Sequence, residues 1–304
     1  MTLTNALARI ESTVEGIRTR DAAYHPLAER FGPFFIMGER AREAARNEGL
    51  LVPDVDEARL ADGVPVLTGL DLTPWGEALT KSAGLLLPVI VETLALAPDH
   101  AEPLRELLLA PGKTAELLRA RLDGGPDRLV DHAISAGITP TAALPFAVDA
   151  ASGPVLGCLA ESVAGKLAGI TWERGHCPVC GSAPSIAQLA PPDSGHSEYL
   201  VGGGGKKFLH CSLCGHDWHF SRTACAACGN EDDKTRELLF VDRARHERIE
   251  ACRACGSYLL CVDLRDYAER PDPDVLQLGL IHLDILARKQ ALNPLANTLW
   301  NTLT

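Results

Sequence analysis

The sequence predicts a multi-domain α+β protein: a helical N-terminal domain, then two small metal-centred β modules, then a C-terminal helix packing back on the body. Three observations predict it. Nine of the ten cysteines lie between Cys177 and Cys261, and Cys158 alone precedes them. Before that cluster, apolar residues recur at the three- and four-residue spacings of helices. After it, apolar runs shorten to strand length and are bounded by Gly, Pro and Cys. The change in composition sets a boundary near 170–175, and the expected division is 1–171, 172–222, 223–270 and 271–304.

Within the helical part, Leu3, Leu7, Ile10, Val14 and Ile17 line one face of a first helix. Asp71 or Thr73 caps a second, with Pro74 in the first turn, where a missing N–H does no harm. That helix carries Leu79, Leu85, Leu86, Val89 and Ile90, with Pro88 as its bend. The stretch ELLLAPGKTAELLRARLDGG reads as two helices parted at Pro111-Gly112, and Leu129 to Ala136 as a short one ended by Gly137 and Pro140. Thr141 to Leu167 is apolar and Ala-rich throughout, which reads as one or two buried helices broken near Gly153-Pro154. No nucleotide loop, catalytic triad or paired-histidine metal motif is spelled in this half.

In the second half, Ser185 to Leu189 reads as a strand. Glu198 to Val201 and Lys206 to His210 flank Gly202 to Gly205, a run whose tolerance of positive φ suits a hairpin. The run lacks the Gly-Lys-Ser/Thr ending and following helix of a phosphate loop. Arg236 to Val241 and His246 to Glu250 form another strand pair, and SYLLCVDL, Ser257 to Leu264, a single strong strand. Asp272-Pro273-Asp274 breaks the chain, and a helix from Val275 to Gln290 carries Leu276, Leu280, Leu283 and Leu286.

Composition narrows the function. With 46% apolar and 23% charged residues a packed core is feasible, and the chain is not of the disordered class. A net charge of -11 argues against nucleic acid as a partner. A local basic run, Arg243, Arg245, His246, Arg248 and Arg253, is diluted by Glu247 and Glu250. The N-terminus, MTLTNALARIESTVEG, lacks the basic-then-apolar order of a secretory signal. The most apolar run, Ala83 to Ala97, contains Pro88 and Glu92 and is too short to span a bilayer. No membrane insertion and a cytoplasmic location are therefore expected. Thiols stay reduced there, so ten cysteines suggest metal or redox work rather than disulfides.

The cysteines repeat one unit, Cys-x-x-Cys-Gly, at Cys177/Cys180, Cys211/Cys214, Cys225/Cys228 and Cys252/Cys255. Two intervening residues let both thiolates reach one ion from a tight turn. The glycine permits the left-handed backbone that follows, and neighbouring N–H groups can then point at sulfur. Eight thiolates make two tetrahedral sites. In sequence order these are Cys177, Cys180, Cys211 and Cys214, with 30 residues between the pairs, and Cys225, Cys228, Cys252 and Cys255, with 23. Each gap holds one hairpin, the organisation of a rubredoxin-like or zinc-ribbon module. Cross-pairing of Cys211/Cys214 with Cys225/Cys228, ten residues apart, is the alternative. All-protein ligation leaves no open position, which points to structural metal rather than hydrolysis. Sulfur ligation suits zinc and iron alike, and thiol exchange would need one exposed reactive pair rather than four similar ones. Cys158 and Cys261 read as core thiols. His176, His210, His216 and His219 read as outer or surface groups around the first site, and Trp218 as a strand residue facing the core.

The order CPVCG, then KKFLHCSLCGHDWHFSRTACAACGN, then a fourth CxxCG ahead of a strand and a C-terminal helix resembles the FdhE formate dehydrogenase accessory proteins. The resemblance is most specific over Trp172 to Asp266 and extends more weakly through the N-terminal region. It implies a cytoplasmic, non-enzymatic protein needed for maturation or activity of formate dehydrogenase, with that enzyme's catalytic subunit as partner. It also implies iron in the two sites, with the eight paired cysteines as ligands and zinc as the alternative. A second reading is an iron-dependent electron-transfer or thiol-redox protein acting on the same subunit.

Overall fold

The computed structural model describes residues 2–190, 205–242 and 244–302. Glu198 to Val201, Gly202 to Gly204 and Arg243, all used in the expectations above, lie outside them. The chain divides into two compact units. Unit one is Met1–Ile170 with Val179–Ser182 and Leu213–Gly215; unit two is Thr171–Pro178, Ala183–Ser212 and His216–Thr304.

Unit one contains α1 (Leu3–Arg20), α2 (His25–Asn47), α3 (Glu57–Ala61), α4 (Gly76–Leu94), α5 (Pro98–Leu109), α6 (Lys113–Gly124), α7 (Asp127–Ser135) and α8 (Ala143–Leu167). The Thr2 hydroxyl caps α1 by accepting from the Asn5 N–H, and Ala6, Ile10, Thr13 and Ile17 form its buried stripe. Asp71 accepts from the N–H and hydroxyl of Thr73 at 2.9 and 2.7 Å, which holds its carboxyl below the usual range. This local turn precedes a single 3-10 turn, Thr73–Trp75, whose N-cap position is Leu72 with no side-chain cap, so, against expectation, neither Asp71 nor Thr73 caps α4. Leu79, Ala83, Leu86, Leu87 and Ile90 face the core from α4, whereas Leu85 is 41% exposed. Six residues on from Leu79, Leu85 lies about 240° round the helix, on the solvent side.

α8 corrects the expected break: it runs unbroken through Gly153 and Pro154 for 25 residues. Proline removes one backbone hydrogen bond. Burial on all sides offsets that loss, because Leu144, Val148, Ala151, Val155, Leu156, Leu159 and Val163 are each 0–1% exposed. Gly153 has its own reason, since an added Cβ would stand 3.2 Å from the Leu213 carbonyl oxygen. α8 is the one helix among the described residues that is long and apolar enough to cross a membrane, and 78% of that window is buried within the fold. A partly buried ion pair steadies it: Arg121 of α6 donates to Asp149 at 2.8 and 3.1 Å.

Unit two contains β1 (Pro184–Leu189), β2 (Lys207–Cys211), β3 (Asp217–His219), β4 (Arg236–Phe240), β5 (Glu247–Cys252), β6 (Ser257–Asp263), α9 (Pro273–Leu276), α10 (Ile281–Lys289), β7 (Asn293–Pro294) and α11 (Leu299–Thr302). Strands from both expected modules lie in one sheet, ordered β3-β2-β1-β6-β5-β4, with β7 beside β6. The junction is the parallel pair β1 and β6, where Ala187 stands opposite Cys261. β2 pairs antiparallel with β1, Leu189 opposite Lys207. Gly205 approaches that hairpin so closely that a Cβ would stand 1.5 Å from the Ala190 carbonyl oxygen. Close approach, rather than positive φ, is what this glycine supplies.

One face of the sheet carries Ile186, Ile249, Tyr258, Leu260 and Val262 against Leu276, Leu280, Leu283 and Ala287. The expected single helix from Val275 is instead α9, a 3-10 turn at Gln277–Leu280 and α10, which together keep the leucines on the sheet. Tyr258 donates to Asp284 at 2.6 Å inside this core. Burial pushes the Asp284 carboxyl up to about 6, outweighing the Tyr258 hydrogen bond and the Arg288 charge. A carboxyl raised in this way adds stability while protonated and loses it as pH rises through about 6. Asp284→Asn, which still accepts from Tyr258, is therefore expected to stabilise the protein by about 2–3 kcal/mol at pH 8 and to make no difference below about pH 4. Thermal melts of both proteins across that range check it.

Candidate metal centres

The fold gathers the eight paired cysteines into two groups, in sequence order. The Sγ atoms of Cys177, Cys180, Cys211 and Cys214 all lie within 4.8 Å of one another, and so do those of Cys225, Cys228, Cys252 and Cys255. In the first group, Pro184 of β1 stands opposite Cys211 of β2, so the hairpin presents both pairs at one end. In the second, Arg236 of β4 stands opposite Cys252 and Cys252 opposite Ser257, which brings the third and fourth pairs together. Cross-pairing is excluded by the sheet, because β2 and β4 are separated by β1, β6 and β5. Gly181, Gly215, Gly229 and Gly256 all take positive φ, 67° to 80°, as the knuckle turn requires.

The donor sets fit a tetrahedral ion. Cys225 and Cys255 sulfurs are 3.9 Å apart, and Cys228 and Cys252 sulfurs 3.8 Å. A tetrahedron with ~2.3 Å metal–sulfur bonds has edges of ~3.8 Å. The two groups can thus hold two ions. Backbone N–H groups already aim at sulfur: burial alone would raise the Cys252 thiol, but the amides of Cys255 and Ala254, the Cys255 thiol and the Asn230 side chain hold it down at about 7. Burial pushes Cys225 up to about 12.

The groups differ in exposure. All four cysteines of the first are buried, Cys177 and Cys211 completely. In the second, Cys228 and Cys255 are exposed, Cys225 is half-buried and Cys252 alone is buried. Around the first group, the Leu67 N–H donates to the Val179 carbonyl at 2.9 Å, and Val179 and Leu213 are buried. Repeated spacing gives no hint of this asymmetry, because it arises from what packs on each knuckle.

The four histidines stand outside both groups. His210 is buried, and its two ring nitrogens meet Asp217 at 2.7 Å and Asp274 at 3.2 Å. Burial opposes its charge, but the two carboxylates prevail and raise it well above the usual imidazole range. It is a charged strut linking β2, β3 and α9. The His176 ring packs edge-on against Trp172, whose indole N–H donates to the His176 carbonyl at 2.7 Å. Trp218 is buried and donates to the Arg174 carbonyl at 3.0 Å. Cys158 and Cys261 are both core thiols, raised by burial.

Two supporting residues escape sequence reasoning. Asn230 donates to Thr235 Oγ1 at 2.8 Å and to Cys252 Sγ at 3.7 Å, tying the third pair to the fourth. The third pair alone is followed by Gly-Asn, the one available signal. Gly175 approaches Ala226, inside the third pair, so closely that a Cβ would stand 1.7 Å from its carbonyl oxygen. Gly175→Ala must therefore displace the Cys225–Cys228 turn. The variant is expected to keep its first ion and bind the second weakly, read as metal per chain after dialysis.

No family model matches the chain. Curated relatives do. One named "Protein FdhE homolog", from Aquifex aeolicus, is 31% identical over 137 residues, 45% of this chain and 44% of that protein. Another of the same name, from Edwardsiella ictaluri, is 32% identical over 183 residues, 58% of this chain and 51% of that protein. The crystal structure of the FdhE protein from Pseudomonas aeruginosa superposes with a TM-score of 0.61 at 21% identity, over 97% of this chain and 95% of that one. The chain is thus similar to FdhE proteins in sequence over about half its length and in fold over nearly all of it. The chain spans about half the length of the curated FdhE relatives named here. The solved FdhE chain shares the fold: a helical region, a sheet region with two tetracysteine groups, and a C-terminal helix in this chain.

Proposed function

We propose that this chain is a cytoplasmic, non-catalytic accessory protein that supports maturation of formate dehydrogenase and binds that enzyme's catalytic subunit. The observation that carries the reading is the pair of tetracysteine groups within a fold shared with FdhE. In it, Cys177, Cys180, Cys211 and Cys214 hold one ion and Cys225, Cys228, Cys252 and Cys255 a second. Iron is favoured by the family resemblance, and zinc is the alternative. Each ion supplies folding energy by fixing two knuckles at one point. Four protein ligands leave no position for substrate or water, so no reaction is assigned to either site.

Cells lacking this chain are expected to make the catalytic subunit in normal amounts with little formate dehydrogenase activity, restored by the wild-type chain. Full activity without it overturns the reading. A second reading, electron transfer or thiol redox chemistry on the same subunit, is favoured by one observation, the exposure of Cys228 and Cys255. It requires iron in the second site and a visible absorption that bleaches on reduction and returns on oxidation.

A further inference from the structure

The glycines that close the first, second and fourth cysteine pairs precede Ser182, His216 and Ser257, whereas the third precedes Asn230. Asn230 reaches three of the four cysteines of the second centre. Its carbonyl accepts from the Cys225 N–H at 2.9 Å, its own N–H aims at the Cys228 sulfur, and its side-chain amide donates to Cys252 Sγ at 3.7 Å. The amide is oriented by its neighbours. Oδ1 accepts from the Asp232 N–H at 3.3 Å, which leaves Nδ2 as the end that donates. One of its hydrogens goes to Thr235 Oγ1 at 2.8 Å and the other to Cys252. The Thr235 hydroxyl accepts there because its own hydrogen goes to the Asp232 carbonyl at 3.1 Å. The Thr235 carbonyl in turn accepts from the Arg253 N–H at 2.7 Å, inside the fourth pair. The sulfur at the end of this chain is the one that water serves least. Cys228 and Cys255 are exposed, whereas Cys252 is 2% exposed. A buried sulfur that takes on charge must find its hydrogen bonds within the protein. The Ala254 and Cys255 amides at Cys252 belong to its own turn; Asn230 comes to it from the other pair.

We propose that Asn230 is the positioning residue of the second centre: its amide fixes Cys252 Sγ relative to the third pair and offsets the charge that this sulfur carries when a metal is bound. It thereby sets how tightly that centre holds its ion. Partners of this kind, one step behind the ligands, orient a donor atom and tune its electron density. An N–H···S bond stabilises a sulfur more as negative charge on it grows. Ferrous iron leaves more charge on four thiolates than ferric iron does, so with iron the same bond raises the reduction potential. The inference rests on the metal assignment in the reading above and is independent of the client.

The test uses the full chain loaded with Co2+ during synthesis, because thiolate-to-cobalt charge transfer reports on the sulfurs directly. Wild type minus Cys252→Ala gives the spectrum of the second centre. Asn230→Ala removes the donor, and Asn230→Asp keeps the shape and replaces the donor by a carboxylate. Each variant is expected to yield its second ion to a chelator about tenfold more readily or worse, with the first ion held as in wild type. The charge-transfer band of the second centre is expected at longer wavelength, since a sulfur without its hydrogen bond gives up charge more easily, and further out in Asn230→Asp. With iron in place of cobalt, the midpoint potential of the second centre is expected to fall in both. Wild-type affinity with an unmoved band overturns the proposal. Weaker binding with an unmoved band overturns it too, because Asn230 would then only brace the turn. Should neither variant hold a second ion, Thr235→Val carries the test: it keeps the amide and removes its anchor, so a band at longer wavelength supports the proposal and an unmoved one overturns it. A wild-type chain that holds no Co2+ overturns the metal assignment itself, and this inference with it.

Discussion

Cys177→Ala and Cys211→Ala are expected to release one of two ions and to cause the largest loss of stability of any single substitution in the chain. Both sulfurs are completely buried, and each belongs to a group of four. Tetrahedral structural sites in small domains supply on the order of 10 kcal/mol at neutral pH, because the unfolded chain presents no preformed site. With three thiolates left, that term largely disappears. The loss also frees the turn around Val179, whose carbonyl accepts from the Leu67 N–H. Metal per chain and a melting curve decide the matter. Two ions and an unchanged melting temperature in both variants would show that these cysteines are core thiols and nothing more.

A chelator is expected to empty the second centre first. Cys228 and Cys255 are exposed there, so attack needs no opening of the fold, whereas the first centre has all four sulfurs buried. Release from the first centre must wait for local unfolding, so its rate is expected to be lower by about tenfold or more at neutral pH. Two kinetic phases of equal amplitude are the expected record. Cys252→Ala is expected to remove the fast phase and Cys177→Ala the slow one. A single phase carrying both ions would show that burial does not govern access. The same exposure leaves the second centre open to oxidants, so in air it is expected to be the first to lose its ion.

Both expectations start from the one feature that was legible before folding was considered. Four Cys-x-x-Cys-Gly units specify the knuckle locally, since the turn, the left-handed glycine and the thiolate geometry lie within five residues. Sequential pairing was legible because each gap holds one hairpin, and the sheet order then leaves no other pairing. Helices were legible where their apolar stripe is regular, as in α1, and misjudged where local rules meet strong burial. Pro154 carries a helix-breaking signal, yet α8 continues because its surroundings return more than the one hydrogen bond lost. Leu85 was read only as one of the apolar residues that α4 carries, and its angle turns it out to solvent.

By itself, then, the sequence determined the four cysteine pairs, the glycine turns and the division of the chain into helical and sheet-forming stretches, because all of these depend on neighbours along the chain. Tertiary structure alone decided that strands from both cysteine-paired stretches share one sheet, with β1 parallel to β6. It alone decided that Gly175 and Gly205 are needed for close backbone approach, that His210 is a buried cation between Asp217 and Asp274, and that one centre is enclosed and the other open. Each of these depends on what distant residues bring against a group, and exposure, charge state and clearance are properties of that packed surrounding rather than of the local sequence.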